Sequence, residues 1–165
     1  MRQPAKKPSE PAVEQGQPAA ANPTVRLPGE PLGVLVVDDE HMVRIMVQLG
    51  LERNGFNVWL ASSGREAIDL YRHHKEELAV VLLDIRMPGL DGLQTLDVLR
   101  ELNPKVLACF MSGETSASAL EELFRRGAAS VIAKPFRLDD LANILRLMTH
   151  GVSADLHPSS RVCQG

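Results

Sequence analysis

The chain has 165 residues, with 18 basic against 21 acidic side chains and a formal charge of −3. That length suits one domain with a proper core plus tails and leaves little room for a second. The charge balance gives no electrostatic case for nucleic acid or an anionic membrane, and no stretch approaches the roughly 18 to 20 continuous apolar residues of a membrane span.

Residues 1–31 hold seven of the eleven prolines among Ala, Gln, Glu and Lys, with almost nothing large and apolar. Such a segment cannot offset the entropy of ordering, which predicts a disordered tail. A proline-rich recognition segment that folds on a partner is the alternative, although no PxxP motif with a basic cluster supports it. The tail has no apolar signal-peptide core, which argues against export and for the cytoplasm.

From residue 32 the pattern changes. Val34–Val37 is an apolar run that reads as a strand and ends in Asp38, Asp39 and Glu40. Met42–Arg53 reads as a helix with Val43, Met46, Val47 and Gly50 on one face, stopped by Asn54 and Gly55. Phe56–Ala61 is the next strand. Ser63 and Glu66 have capping-box spacing ahead of a helix through Tyr71 to about His74.

The run Ala79–Leu83 ends in Asp84 and the turn residues Met87, Pro88 and Gly89. It reads as a strand buried on both faces. Taken alone, Asp84 could simply cap the turn. Asp91 and Gln94 again have cap spacing, Leu93, Leu96 and Leu99 recur at helical intervals, and Asn103-Pro104 ends that helix. Val106–Met111 is a fourth strand; Cys109 within it is expected to be a reduced, core-filling thiol. Ser112 and Gly113 follow, then a helix from about Thr115 to Arg126 showing Leu120, Leu123 and Phe124, stopped by Gly127. Ser130–Ala133 is a short fifth strand running into Lys134, Pro135 and Phe136. Leu138, Leu141, Leu145 and Met148 line a last helix, and residues 150–165 read as a frayed tail.

Alternation of strand and helix predicts an α/β domain with a parallel sheet covered on both faces, joined by right-handed crossovers. In such a sheet the carboxyl ends of the strands share one edge, where ligands bind. Asp38, Asp39, Asp84, Ser112 and Lys134 all stand there. Each has a dull explanation alone: an N-cap, a turn hydroxyl, a solvated charge. Together they are harder to dismiss. Carboxylates brought within about 4 Å would repel by on the order of 4 kcal/mol per pair at an effective dielectric near 20. Lys134 offsets part of this; a divalent cation such as Mg²⁺, or uptake of a proton by one acid, would offset the rest.

With these motifs in this order, residues 32–149 resemble the receiver domain of bacterial two-component response regulators. The resemblance implies a flavodoxin-like (CheY-like) three-layer sandwich with five parallel strands in the order 2-1-3-4-5. It implies that Asp84 accepts a phosphoryl group from a phosphohistidine on a sensor histidine kinase or phosphotransfer protein. Mg²⁺ would be held by Asp39, Asp84 and the backbone carbonyl of Arg86, with Asp38 acting mostly through water. Ser112 and the amide of Gly113 would bind a phosphoryl oxygen, as would Lys134, aimed by a cis bond to Pro135. A downstream protein would read the signal. Beyond this self-catalysed phosphoryl transfer and autodephosphorylation, no enzyme activity is implied.

The match departs from the family at Val131, where receivers usually carry an aromatic ring, and at Gly113, where Ala is commoner. Arg86 and Glu114 are expected to pair across the mouth of the site. The few residues after Met148 suggest a stand-alone receiver, monomeric or homodimeric, without contact to nucleic acid or membrane. Two other readings remain. A phosphate-independent interaction module finds support in Val131. A haloacid dehalogenase-like hydrolase would need a general acid two residues after its nucleophile, where this chain has Arg86. His41, His73, His74, His150 and His157 fall on helix faces and tails and are expected to be solvated.

Overall fold

The computed structural model describes residues 31–114 and 116–150, and the backbone of Val162–Cys163. The expectations for residues 1–30, Thr115 and most of the C-terminal tail, His157 included, lie outside those residues.

The elements run β1 (Leu32–Val37), α1 (His41–Arg53), β2 (Phe56–Ala61), α2 (Gly64–His74), β3 (Leu78–Asp84), α3 (Gly92–Leu102), β4 (Ala108–Ser112), α4 (Ala117–Arg125), β5 (Ser130–Ala133) and α5 (Leu138–Thr149). A two-residue strand β6 (Val162–Cys163) follows. All pairings are parallel, and the sheet order is β2-β1-β3-β4-β5-β6. The expected order of five strands is present. A sixth, which the tail composition did not announce, lies against β5 with Val131 opposite Val162.

Two apolar layers flank the sheet. On one side Leu35, Leu83, Phe110 and Val131 pack with Ala67, Leu96, Leu99 and Leu123 of α2, α3 and α4. On the other, Val36, Leu82, Met111 and Ile132 meet Val47 and Leu51 of α1 and Leu141 and Leu145 of α5. The strands therefore alternate between the two layers, and no strand of the centre has a wet face.

Local chemistry sets most boundaries. Asp91 caps α3 in a capping box: its carboxylate accepts from the Gln94 amide at 2.7 Å, and the Gln94 side chain accepts from the Asp91 amide at 3.1 Å. The Ser63 box is only half formed. Ser63 accepts from the Glu66 amide at 3.3 Å, but the Glu66 carboxylate takes the amide and hydroxyl of Ser62 instead. Those bonds hold the Glu66 carboxyl below its ordinary range. Gly55 and Gly127, at φ +80 and +93, turn the chain after α1 and α4.

The face expected for α1 needs correction. Met46 is 49% exposed, and Leu51 takes its place in the core beside Val47 and Gly50. The helix leans on α5 with its Val47–Leu51 side, so Met46 falls at the rim. Strand β4 also begins later than expected, because Val106 donates back to Asn103 in the preceding turn.

Candidate functional site

Parallel register brings the ends of β1, β3, β4 and β5 to one edge: Val37 lies opposite Leu83, Asp84 opposite Met111, and Ser112 opposite Ala133. Asp38 and Asp84 stand one residue beyond or at the end of central strands and are buried, at 0% and 9% exposure. Each would be costly there without a partner. The partner follows β5, two strands from β3: Lys134 Nζ donates to Asp84 Oδ1 at 2.6 Å and to Asp38 Oδ2 at 2.9 Å. Burial alone would lower the Lys134 pKa, but the hydrogen bonds and charges of Asp84 and Asp38 outweigh it, leaving the pKa raised. The ammonium thus stays charged across the neutral range.

The remaining carboxylate oxygens are aimed by backbone. Asp84 Oδ2 accepts from the Arg86 amide at 2.9 Å, and Asp38 Oδ1 from the Glu40 amide at 2.8 Å. The Lys134–Pro135 bond is cis, and the Lys134 amide donates to the Ser112 carbonyl at 2.7 Å. That last bond ties the lysine's backbone to the end of β4.

Other expected site residues stand less close together. Asp39 is exposed, and its carboxylate makes no hydrogen bond or ion pair among the described residues. The Ser112 hydroxyl is engaged within its own loop, donating to the Glu114 carbonyl and accepting from the Glu114 amide at 3.0 Å. Gly113 is exposed, with open space where a side chain would be. Val131 is fully buried beside Phe110, so no aromatic ring stands at that point of β5 to swing between surface and interior.

Two anions sharing one cation, with Asp39 at the rim, leave an excess of negative charge on hard oxygen donors. Among the described residues no three His, Cys, Asp or Glu side chains form a ready-made metal cage. That donor set fits Mg²⁺, which retains several waters and needs only one or two carboxylates, better than a metal that requires an all-protein shell.

Beside Asp84 a cleft of about 210 Å³ runs under the start of α4, lined by Ile85, Leu93, Met111, Ala119 and Leu123. Arg86 and Glu114 flank its mouth as an ion pair at 3.9 Å, 80% and 60% exposed. So exposed a pair is worth less than about 1 kcal/mol. If Asp84 carries a phosphoryl group, as the resemblance to receivers implies, Glu114→Ala is expected to speed its loss by only about two- to three-fold, read as the decay of phosphorylated protein by mass. An unchanged decay would leave the pair without a role there.

Two contributors were missed at the sequence level. Arg44 donates through Nη1 to the carbonyls of Asp38 and Asp39, at 2.7 and 3.0 Å. Gly92, the first residue of α3, lies so close to Asp84 that a Cβ would strike its carbonyl oxygen. Spacing signals neither. A basic residue in the first turn of a helix, where its charge opposes the dipole, was the available hint for Arg44.

The sequence matches the family described as the response regulator receiver domain over residues 34–146. It is 34% identical over 130 residues to response regulator MprA of Mycobacterium sp. (strain KMS), covering 79% of this chain and 56% of that protein. It is 26% identical over 113 residues to sporulation initiation phosphotransferase F of Bacillus subtilis (strain 168), covering 68% and 90%. The chain thus spans only about half the length of the first of these relatives. Among solved structures, the CheX-CheY-BeF3-Mg²⁺ complex from Borrelia burgdorferi matches with a TM-score of 0.69 at 28% identity, covering 76% of this chain and 92% of that one.

Proposed function

The chain belongs to the response regulator receiver domain family, and on that premise we propose that Asp84 is its phosphoryl acceptor in two-component signalling. One observation carries the reading: Lys134, Asp38 and Asp84, widely separated in the chain, meet at the strand ends with the lysine between the two acids.

In this reading a carboxylate oxygen of Asp84 attacks the phosphorus of a phosphohistidine. The O–P bond forms, the P–N bond breaks, and the imidazole leaves with the electron pair. The product is an acyl phosphate, whose high transfer potential suits a transient signal. Asp84 attacks as the carboxylate, and the ammonium of Lys134, hydrogen-bonded to it, lies where phosphoryl oxygens would come to rest. Mg²⁺ would be held by Asp39, Asp84 and the Arg86 carbonyl, with Asp38 acting mostly through water; when bound it supplies charge neutralisation at the phosphoryl oxygens. The relative from Borrelia, whose structure contains BeF3 and Mg²⁺, supports that cofactor.

Ser112 then has a choice of partners. Its hydroxyl leaves the Glu114 backbone to donate to a phosphoryl oxygen, with the Gly113 amide beside it, and the loop ahead of α4 follows. With Val131 in place of a ring, the loop and α4 carry the signal to a downstream protein. The donor is a sensor histidine kinase or a histidine phosphotransfer protein. Next to the acidic loop, α1 exposes Met42, Met46 and Leu49, at 74%, 49% and 56%, an apolar ridge suited to such a partner's surface.

No helix among the described residues is long and apolar enough to cross a membrane. We place the protein in the cytoplasm, acting through protein contacts rather than nucleic acid, as a monomer or homodimer. Its own phosphoryl uptake and loss are its only chemistry; Arg86 stands where a dehalogenase-like hydrolase would need an acid.

The test is intact mass after incubation with Mg²⁺ and a small phosphoryl donor such as acetyl phosphate. Wild type is expected to gain one phosphoryl group, and to gain none after chelation; Asp84→Ala gains none. Val131 favours a second reading, an interaction module that works without phosphate. Failure of wild type to gain mass with several donors would select it.

A further inference from the structure

We propose that Arg44 is a positioning residue for the divalent cation, acting through the backbone of the acidic loop; this rests on the receiver reading above. Arg44 sits in the first turn of α1, where a positive charge opposes the helix dipole, and that turn holds no acidic residue to offset it. Glu40 at the N-cap supplies no side-chain cap either. For the helix alone the arginine is therefore a poor choice.

Its bonds give it another task. One guanidinium nitrogen donates to two consecutive carbonyls, Asp38 at 2.7 Å and Asp39 at 3.0 Å, while Nη2 lies 3.4 Å from His41 Nδ1. Both peptide planes are thereby pinned with their oxygens toward α1. Asp38 is also fixed through its carboxylate, by Lys134 and the Glu40 amide. Asp39 has no such help. Its side chain makes no bond among the described residues, so its carbonyl bond to Arg44 is what orients it. A loop held this way presents the two carboxylates with little ordering left to be done when the cation binds.

The guanidinium also brings a positive charge near the cation, which works against binding. The two effects have opposite signs, so substitution separates them. Losing an outer-shell partner typically weakens metal binding by about 10- to 100-fold. In the full chain, Mg²⁺ titration followed by backbone amide shifts is expected to give about ten-fold weaker binding for Arg44→Ala. Arg44→Lys, which keeps the charge and a donor, recovers part of the loss. Amides of residues 38–40 exchange faster in Arg44→Ala, and the phosphorylation rate returns to within about two-fold of wild type at saturating Mg²⁺.

Binding by Arg44→Ala as tight as wild type, or tighter, would overturn the proposal, because charge repulsion would then dominate. A rate that stays depressed at saturating Mg²⁺ would also overturn it. If wild type itself binds no Mg²⁺, the metal reading falls and this proposal falls with it; if wild type binds and Arg44→Ala binds equally, only the proposal fails.

Discussion

Lys134→Ala is expected to lower phosphoryl uptake at Asp84 by about 100-fold, the cost of removing one preorganised charge from a site where negative charge builds up. It also leaves Asp38 and Asp84 facing each other without a cation. Removing one member of a buried ion pair costs roughly 3–5 kcal/mol, but the Lys134 side chain is 25% exposed and water softens the loss, so about 2 kcal/mol is expected in chemical denaturation without metal. Added Mg²⁺ should stabilise the variant more than wild type, since it then supplies the missing charge. The sign with pH follows from the raised pKa. The lysine's contribution is fully present below its ordinary value of 10.5 and is lost only as pH rises through the higher folded value. Wild type should therefore show no loss from this group between pH 6 and 9, and Lys134→Ala should lack the alkaline decline. Uptake by Lys134→Ala within a few-fold of wild type would remove the lysine from the chemistry.

Gly92→Ala should damage the fold and the site together. The added methyl would collide with the carbonyl oxygen of Asp84 and come within 3.1 Å of the Phe110 ring. Strand and helix backbones meet there, as the Gly92 amide also donates to the Ile85 carbonyl at 3.1 Å, so neither side yields easily. Overpacking of this kind costs about 1–3 kcal/mol, and rigid backbone places this case near the upper end. The displaced strand end carries Asp84, the proposed phosphoryl acceptor, and misplacement by about 1 Å can cost 100-fold in rate. Gly113→Ala is the control: nothing lies within 4 Å of the new methyl, so stability should stay within about 0.5 kcal/mol. Equal stability of the two variants in urea would sink the packing account.

The residues that punctuate the chain explain why so much of this architecture is readable without coordinates. Asn54-Gly55, Ser63 and Asp91 are chemical stops and starts, and the elements they bound fall where those signals place them. The four site strands end in polar residues after apolar runs, so Asp84, Lys134 and Ser112 could be put on one edge once the sheet was taken as parallel. Where burial depends on how a helix leans, the pattern fails: Met46 and Leu51 are both apolar, and only the contact with α5 decides which turns inward. Spacing also could not tell that the Glu66 carboxylate would take Ser62 rather than the Ser63 amide, or that the Ser112 hydroxyl would close on Glu114. Nor does composition announce that Val162–Cys163 would lie along β5.

Sheet order has a consequence for how the chain is made. β1 is flanked by β2 and β3, while β4 and β5 join one edge in the order they occur in the chain. A nascent polypeptide leaving the ribosome can therefore assemble β2-β1-β3 once Asp84 has emerged, and extend it strand by strand. Asp38 and Asp84 would meet at that stage, with Lys134 still 50 residues behind Asp84. Until β5 docks, the growing crevice carries two acids and no ammonium of its own. Synthesis thus delivers the neutralising charge last, and a translation intermediate stalled before β5 would be an anionic pocket hungry for cations.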